Sequence, residues 1–325
     1  MRLPSLSRVR VALATLAASA LIAAAPQGRA PHYHVVRRIA VGTLGTGHSA
    51  DYIVIDSTHR RLYGLGNTIV DIDKDSVIDS IPGKAAGGYA LAVDLGRGLA
   101  RNGTLFDLVT GKVTGHVEGE GDASVFDPGT GRAFMLDDTV TVVDMRAGTV
   151  VLRKPLAPKL ESAVADGRGK LFINREDSSI VTKVDPTTLA IEARYPIANC
   201  KASQGLSMDR ARRRLFLGCD KELVVVNADN GAVVTRIPVS GHADENGFDA
   251  STRLIFNANR TDSTLTIVHE DKPDSYKVVD VVKTGGGARS VAVDPVTHKV
   301  YAFYYDQSSG ADRTGWVLMA AVLAP

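Results

Sequence analysis

The chain has 325 residues, with 38 Lys plus Arg against 36 Asp plus Glu and a formal net charge of +2. That balance gives no electrostatic reason to expect attraction to nucleic acid or to a membrane surface. Beyond residue 30 no hydrophobic stretch is long enough to span a bilayer, which takes about 20 apolar residues.

Residues 1–30 read as a secretory signal peptide and 31–325 as one domain. Arg2, Arg8 and Arg10 precede an apolar run, Val11 to Ala25, the charged and apolar regions of an export signal. The run is short for a transmembrane helix, and an uncleaved anchor is the alternative. Small residues at Ala23-Ala24-Ala25 and at Gly28-Arg29-Ala30 offer two cleavage points. The predicted location is periplasmic or secreted.

A unit then recurs seven times: an apolar strand ending on Asp, a polar turn, and a second apolar strand. Its anchors are Asp56, Asp94, Asp127, Asp166, Asp209, Asp249 and Asp294, spaced 38, 33, 39, 43, 40 and 45 residues apart. A period of roughly 40 with strand character predicts an all-β, seven-bladed β-propeller with four-stranded blades. Asp suits the turn because its carboxylate accepts backbone N–H groups two residues on. Most turns close on a cation: Arg61, Arg132, Lys170, Arg214, Arg253 or Lys299. Such a cation can pair with the Asp, and an exposed pair of that kind contributes only about 0–1 kcal/mol. The second repeat is degenerate, with Arg97-Gly98 in that place.

Within each repeat the expected strands are short. Repeat 1 reads as 52–56, 61–65, 68–72 and 77–81. Repeat 3 reads as 123–127, 132–136, 140–143 and 149–153. Repeat 5 reads as 206–209, 214–218, 223–226 and 232–237. Asp or Asn followed by Gly at Asp107…Gly111, Asp144…Gly148 and Asn227…Gly231 marks hairpins. Repeat 7 has only three strands before the chain stops. Residues 34–41 should pair with 316–322 as its fourth strand, joining the two ends of the chain and removing open edges.

Several second strands share a pattern: Arg61-Leu62-Tyr63-Gly64-Leu65-Gly66-Asn67, Lys170-Leu171-Phe172-Ile173-Asn174, Arg253-Leu254-Ile255-Phe256-Asn257 and Lys299-Val300-Tyr301-Ala302. With the Asp-Pro-x-Thr turn before them, they resemble the YVTN-repeat β-propellers, including the YncE-like periplasmic proteins. The resemblance covers nearly all of 31–325, although Tyr-Val-Thr-Asn never occurs intact. It implies an exported binding propeller without a cofactor, and single-stranded DNA as the ligand of some members.

No Gly-x-Ser-x-Gly, His-Glu-x-x-His, Cys-x-x-Cys or phosphate-binding Gly loop is present. Asp71-Ile72-Asp73-Lys74-Asp75 starts like a Ca²⁺ loop, but Ser76 and Pro82 stand where Gly and Glu belong. Propeller geometry brings the mouths of the first strands to one face. Five residues before each anchor lie Asp51, Tyr89, Asp122, Glu161, Gln204, Asp244 and Arg289, with His48 and His242 nearby. This predicts a polar, acidic funnel that binds a small ligand or a protein. Carboxylates converging there raise one another's pKa or hold a cation.

The leading reading is a non-enzymatic binding or scaffold propeller, expected to be a monomer. Two alternatives stay open. One is a lactonase-like hydrolase whose funnel carboxylates hold a divalent cation; the other is a propeller that binds single-stranded DNA. Cys200 and Cys219, the chain's only cysteines, are expected to form a disulfide in an oxidising compartment.

Overall fold

The computed structural model describes residues 32–44, 52–64, 67–82, 88–305 and 313–322. The regular elements among them are strands and one 3-10 turn, Val93–Leu95. The signal-peptide expectation for 1–30 falls outside the described residues.

Repeat 1 folds as an antiparallel sheet of Val54–Asp56, Arg61–Tyr63, Thr68–Asp71 and Ser76–Ser80. Repeat 2 uses Tyr89–Ala92, Arg97–Ala100, Thr104–Asp107 and Val113–His116. Repeat 3 uses Ala123–Asp127, Arg132–Leu136, Thr139–Asp144 and Thr149–Pro155. Repeat 4 uses Leu160–Ala165, Leu171–Arg175, Ile180–Val184 and Ile191–Pro196. The last sheet runs Tyr33–Leu44, Arg313–Val322, Val300–Tyr305, Ala288–Val293, so the N-terminal strand lies on its outside. Tyr33 pairs with Val322 and Ala40 with Trp316, the pairing expected for 34–41 with 316–322.

The expected seven separate four-stranded sheets are corrected here. Among the described residues there are five, and one six-stranded sheet spans repeats 5 and 6: Leu206–Asp209, Arg214–Asn227, Val233–Asp249, Leu254–Asn259, Thr264–Lys272 and Ser275–Lys283. The two repeats are joined because Val233–Asp249 pairs with Arg214–Asn227 of one and with Leu254–Asn259 of the other. Arg214–Asn227 doubles back at Lys221, whose φ is 60°. The amide of Ala228 therefore donates to the carbonyl of Arg213, joining the two ends of that strand. Val233–Asp249 turns at Gly241, whose φ of 68° suits a residue without Cβ. The register between these two strands shifts between Asp220 and Glu222.

Alternation along the strands builds the core. In the second and third strands nearly every residue is buried, including Leu62, Phe134, Phe172, Phe216, Phe256 and Phe303. The outer strands alternate; Thr149–Pro155 is half-buried or exposed at every position. First strands of successive repeats touch in turn, from 54–56 through 89–92, 123–127, 160–165, 206–209 and 233–249 to 288–293, which touches 54–56 again.

The anchor aspartates are buried, except Asp94, which is exposed beside the 3-10 turn of the degenerate repeat 2. Asp56 accepts the amides of Thr58 and His59, and Asp294 accepts the amide of Val296 and the hydroxyl of Thr297. The cation expected after each turn is not the one that pairs. Arg60, not Arg61, reaches Asp294 of the last repeat at 3.0 and 2.9 Å. Arg213, not Arg214, reaches Asp166 of repeat 4 at 2.9 Å, and His298 reaches Asp249 of repeat 6 at 2.7 Å. These contacts bridge neighbouring repeats at buried carboxylates, so the reading as weak exposed pairs does not hold for them. Asp73 and Asp75 of the Ca²⁺-like stretch are engaged by Arg60 and Lys299.

Candidate functional site

The first strand of each repeat ends on its anchor, so the residues before it sit at the strand's entrance. Asp51 and His48 fall outside the described residues. The rest are placed as follows. Asp122 is half exposed and lies 3.4 Å from Arg101. Asp244 is buried, 3.5 Å from Arg260. The Arg289 guanidinium stacks 5.4 Å above the ring of Tyr305. His242 has Nδ1 3.7 Å from Asp220, and burial followed by the charge of Arg260 lowers its pKa.

Gln204 is held by its backbone: its amide donates to Gly218, and its carbonyl accepts from the Asn174 side chain. Its side-chain oxygen is buried without a hydrogen-bond partner among the described residues. Tyr89 is held by aromatic packing. Only 3% exposed, it belongs to an aromatic cluster with Tyr63 and Phe106, its ring edge-on to Phe106 at 5.8 Å. The ring packs between repeats 1 and 2, and the residue also lines the central cavity beside the first strands of the other repeats.

Tyr52, one residue past the assumed depth, was missed by the offset argument. It takes a left-handed φ of 62°, costly for a side chain with a Cβ. Its hydroxyl lies 2.8 Å from Glu161 Oε1 and 2.9 Å from the Glu161 carbonyl oxygen, joining repeat 1 to repeat 4. A second bridge ties repeats 6, 7 and 1: Ser290 donates to Glu245 at 2.6 Å and accepts the amide of Ile53 at 2.8 Å. Gly205 lets repeat 5 approach repeat 6, since a Cβ there would stand 2.6 Å from the Asp244 carbonyl.

The Glu161 carboxyl has its pKa pushed up to about 8. Burial is the main cause. The charges of Asp122, Glu176 and Asp244 add to it, and the Tyr52 hydrogen bond opposes it. Glu161, Asp122 and Asp244 thus feel one another. A carboxyl neutral at pH 7 can donate a hydrogen bond as well as accept one.

Among the first strands lies a cavity of about 170 Å³, lined among others by Tyr52, Tyr89, Ser124, Ser162, Leu206 and Glu245. The Ser124 hydroxyl is buried and has no hydrogen-bond partner among the described residues. Buried polar atoms are nearly always partnered, so this hydroxyl is open to a ligand atom or a water. Among the described residues no group of three or more His, Cys, Asp or Glu side chains is arranged to hold a metal ion. The disulfide Cys200–Cys219 is present, with a Cα separation of 5.2 Å. It fastens the segment leading to Gln204 and Leu206 onto the second strand of repeat 5.

Sheets arranged round a cavity lined by their first strands define the class: a β-propeller. No protein-family model matches the chain, and no curated protein is significantly similar. Solved structures are similar in shape. A chain of the mitotic checkpoint complex superposes with a TM-score of 0.68 at 13% identity, covering 95% of this chain and 98% of that one. A chain of Kuenenia stuttgartiensis hydrazine synthase gives 0.67 at 15%, covering 86% and 98%. The β-propeller domain of Myceliophteria thermophila Cps50 (Swd1) gives 0.68 at 13%, covering 90% and 100%. At such identities the likeness establishes the fold alone. Among the described residues no helix is long and apolar enough to cross a membrane.

Proposed function

We propose that this chain is an exported, non-enzymatic binding propeller of the YVTN-repeat kind that takes a small ligand into its central channel. In this reading the six-stranded sheet serves as two blades, giving seven, and the N-terminal strand closes the ring. The observation that carries the binding role is the cavity, walled by first strands and containing the unpartnered Ser124 hydroxyl. At about 170 Å³ it is smaller than the roughly 300–1,000 Å³ of drug-sized pockets, so the ligand is small.

Binding is favoured over hydrolysis because the carboxylates needed for a divalent cation have other neighbours: Arg101 at Asp122, Arg260 at Asp244, Ser290 at Glu245. It is favoured over DNA binding because the densest basic cluster is internally neutralised. Arg212 pairs with Glu270, Arg213 with Asp166 and Asp229, and Arg214 with Asp274.

Filling the cavity tests the reading. In a fragment screen followed by NMR, hits on the native protein should shift signals of the first strands. An Ala163→Phe variant that still unfolds cooperatively should lose them. Hits that bind the filled variant unchanged would place the ligand elsewhere.

A further inference from the structure

Tyr52 is bonded to a repeat that is not its neighbour. The first strands touch in the order of the repeats, so those of repeats 2 and 3 stand between Val54–Asp56 and Leu160–Ala165. A direct contact from Tyr52 to Glu161 therefore does not follow the wall. It crosses the space that the first strands surround. The phenol makes the crossing, its ring resting against the core of repeats 3 and 4. Its one hydroxyl hydrogen faces two acceptors, Glu161 Oε1 at 2.8 Å and the Glu161 carbonyl oxygen at 2.9 Å. Burial, then the charge of Glu161, raises the phenol's pKa well above its ordinary value, so it keeps the proton it donates.

The same residue lines the cavity, together with Ser162. Leu160–Ala165 runs inward from its entrance to the anchor Asp166, and Glu161 precedes Ser162 by one residue. The contact with Glu161 thus lies on the entrance side of the cavity. The φ of 62° at Tyr52 is left-handed, a conformation that the contacts at the far end of the side chain must hold in place. Releasing the hydroxyl lets both the ring and this backbone relax, which gives the side chain two arrangements.

We propose that Tyr52 is the gate of the central channel: with its hydroxyl on Glu161 it bars the entrance to the cavity, and a molecule enters only when that contact breaks and the ring swings aside. The gate rests on the ligand-binding reading above and adds the residue that decides what reaches the cavity. One shared donor holds the bar, so removing the hydroxyl unlatches it while leaving the ring's apolar packing intact.

A thiol placed in the cavity tests this. Cys200 and Cys219 are bridged and are the chain's only cysteines, so Ser124→Cys introduces the one free thiol. Its modification by methyl methanethiosulfonate, a small neutral reagent, is followed by mass spectrometry at pH 7 and divided by the rate in urea-unfolded protein. Where opening precedes reaction, that ratio follows the open fraction. It should lie well below one with Tyr52 in place. Tyr52→Phe should raise it about three- to tenfold, the range that one neutral hydrogen bond is worth. Glu161→Ala, which removes one of the two acceptors, should raise it by less and serves if Tyr52→Phe does not unfold cooperatively. A strut with no gating role would lower the urea midpoint and leave the ratio in native buffer unchanged. Equal ratios with Tyr52 and with Phe would overturn the gate, whether the thiol is open in both or shielded in both. If the ratios are equal but fragment binding is lost on Ala163→Phe, the ligand-binding reading stands without a gate. If the ratios differ as expected and no fragment binds, the gate stands and that reading falls.

Discussion

Replacing Glu161 by Gln should stabilise the protein, and the gain should depend on pH in one direction only. Burial, helped by Asp122, Glu176 and Asp244, raises the folded pKa from 4.5 to about 8. The native state therefore keeps a proton that the unfolded chain releases between about pH 4.5 and 8. Stability must fall as pH rises through that window, because the unfolded state binds fewer protons there. At about 1.4 kcal/mol per pKa unit, the charged form at pH 9 costs on the order of 3–5 kcal/mol. Gln resembles the neutral acid and can still accept from Tyr52. The variant should match the native protein at pH 5 and exceed it by a few kcal/mol at pH 9. Urea unfolding midpoints at pH 5, 7 and 9, compared at equal m-values, measure the difference. Because desolvation is the largest cause, 0.5 M NaCl should remove only a minor part of the gain. A difference that is flat across pH, or that grows toward acid, would refute the buried, neutral Glu161.

The contacts between repeats make a sharper contrast. Arg60→Ala strands Asp294, fully buried, without its cationic partner and should cost about 3 kcal/mol. Arg61→Ala should cost about 0–1 kcal/mol, and equal losses in chemical denaturation would contradict the assigned partners. Converting both Cys200 and Cys219 to Ala removes a crosslink with a sequence separation of 19 and should cost about 3 kcal/mol on the chain-entropy model. Native protein unfolded with reductant should show the same loss, and unchanged midpoints in both experiments would mean that the bridge carries no stability.

Much of the fold was legible because it is written locally. An Asp that accepts the amides two and three residues on needs no distant partner, so its spacing could be read along the chain, as at Asp56 and Asp294. The strands of repeat 3 fell within a residue or two of expectation for the same reason: alternation and turn residues act over a few positions. The pairing of residues 34–41 with 316–322 followed from a missing strand at one end and a spare one at the other. Cys200 and Cys219 had no other partner to choose.

What the chain could not show depends on how repeats meet. Arg60 and Arg61 are neighbours in sequence with the same chemistry. Only the left-handed φ of 57° at Arg60 and the position of the adjoining repeat decide which one reaches Asp294. Tyr52 and Asp51 differ by a single step, and strands alternate faces, so an irregular entrance to repeat 1 sends the tyrosine across the channel to Glu161. Tyr89 packs its ring against Tyr63 and Phe106 of two repeats while lining the cavity, a double role that its offset alone could not show. Repeats 5 and 6 share one sheet because Val233–Asp249 pairs with Arg214–Asn227 of one and Leu254–Asn259 of the other. Local sequence determines where each strand begins and which carboxylate ends it. The partner of a side chain, and so its charge at neutral pH, is set by atoms that can lie 234 residues away, as for Arg60 and Asp294, brought near only when the sheets pack.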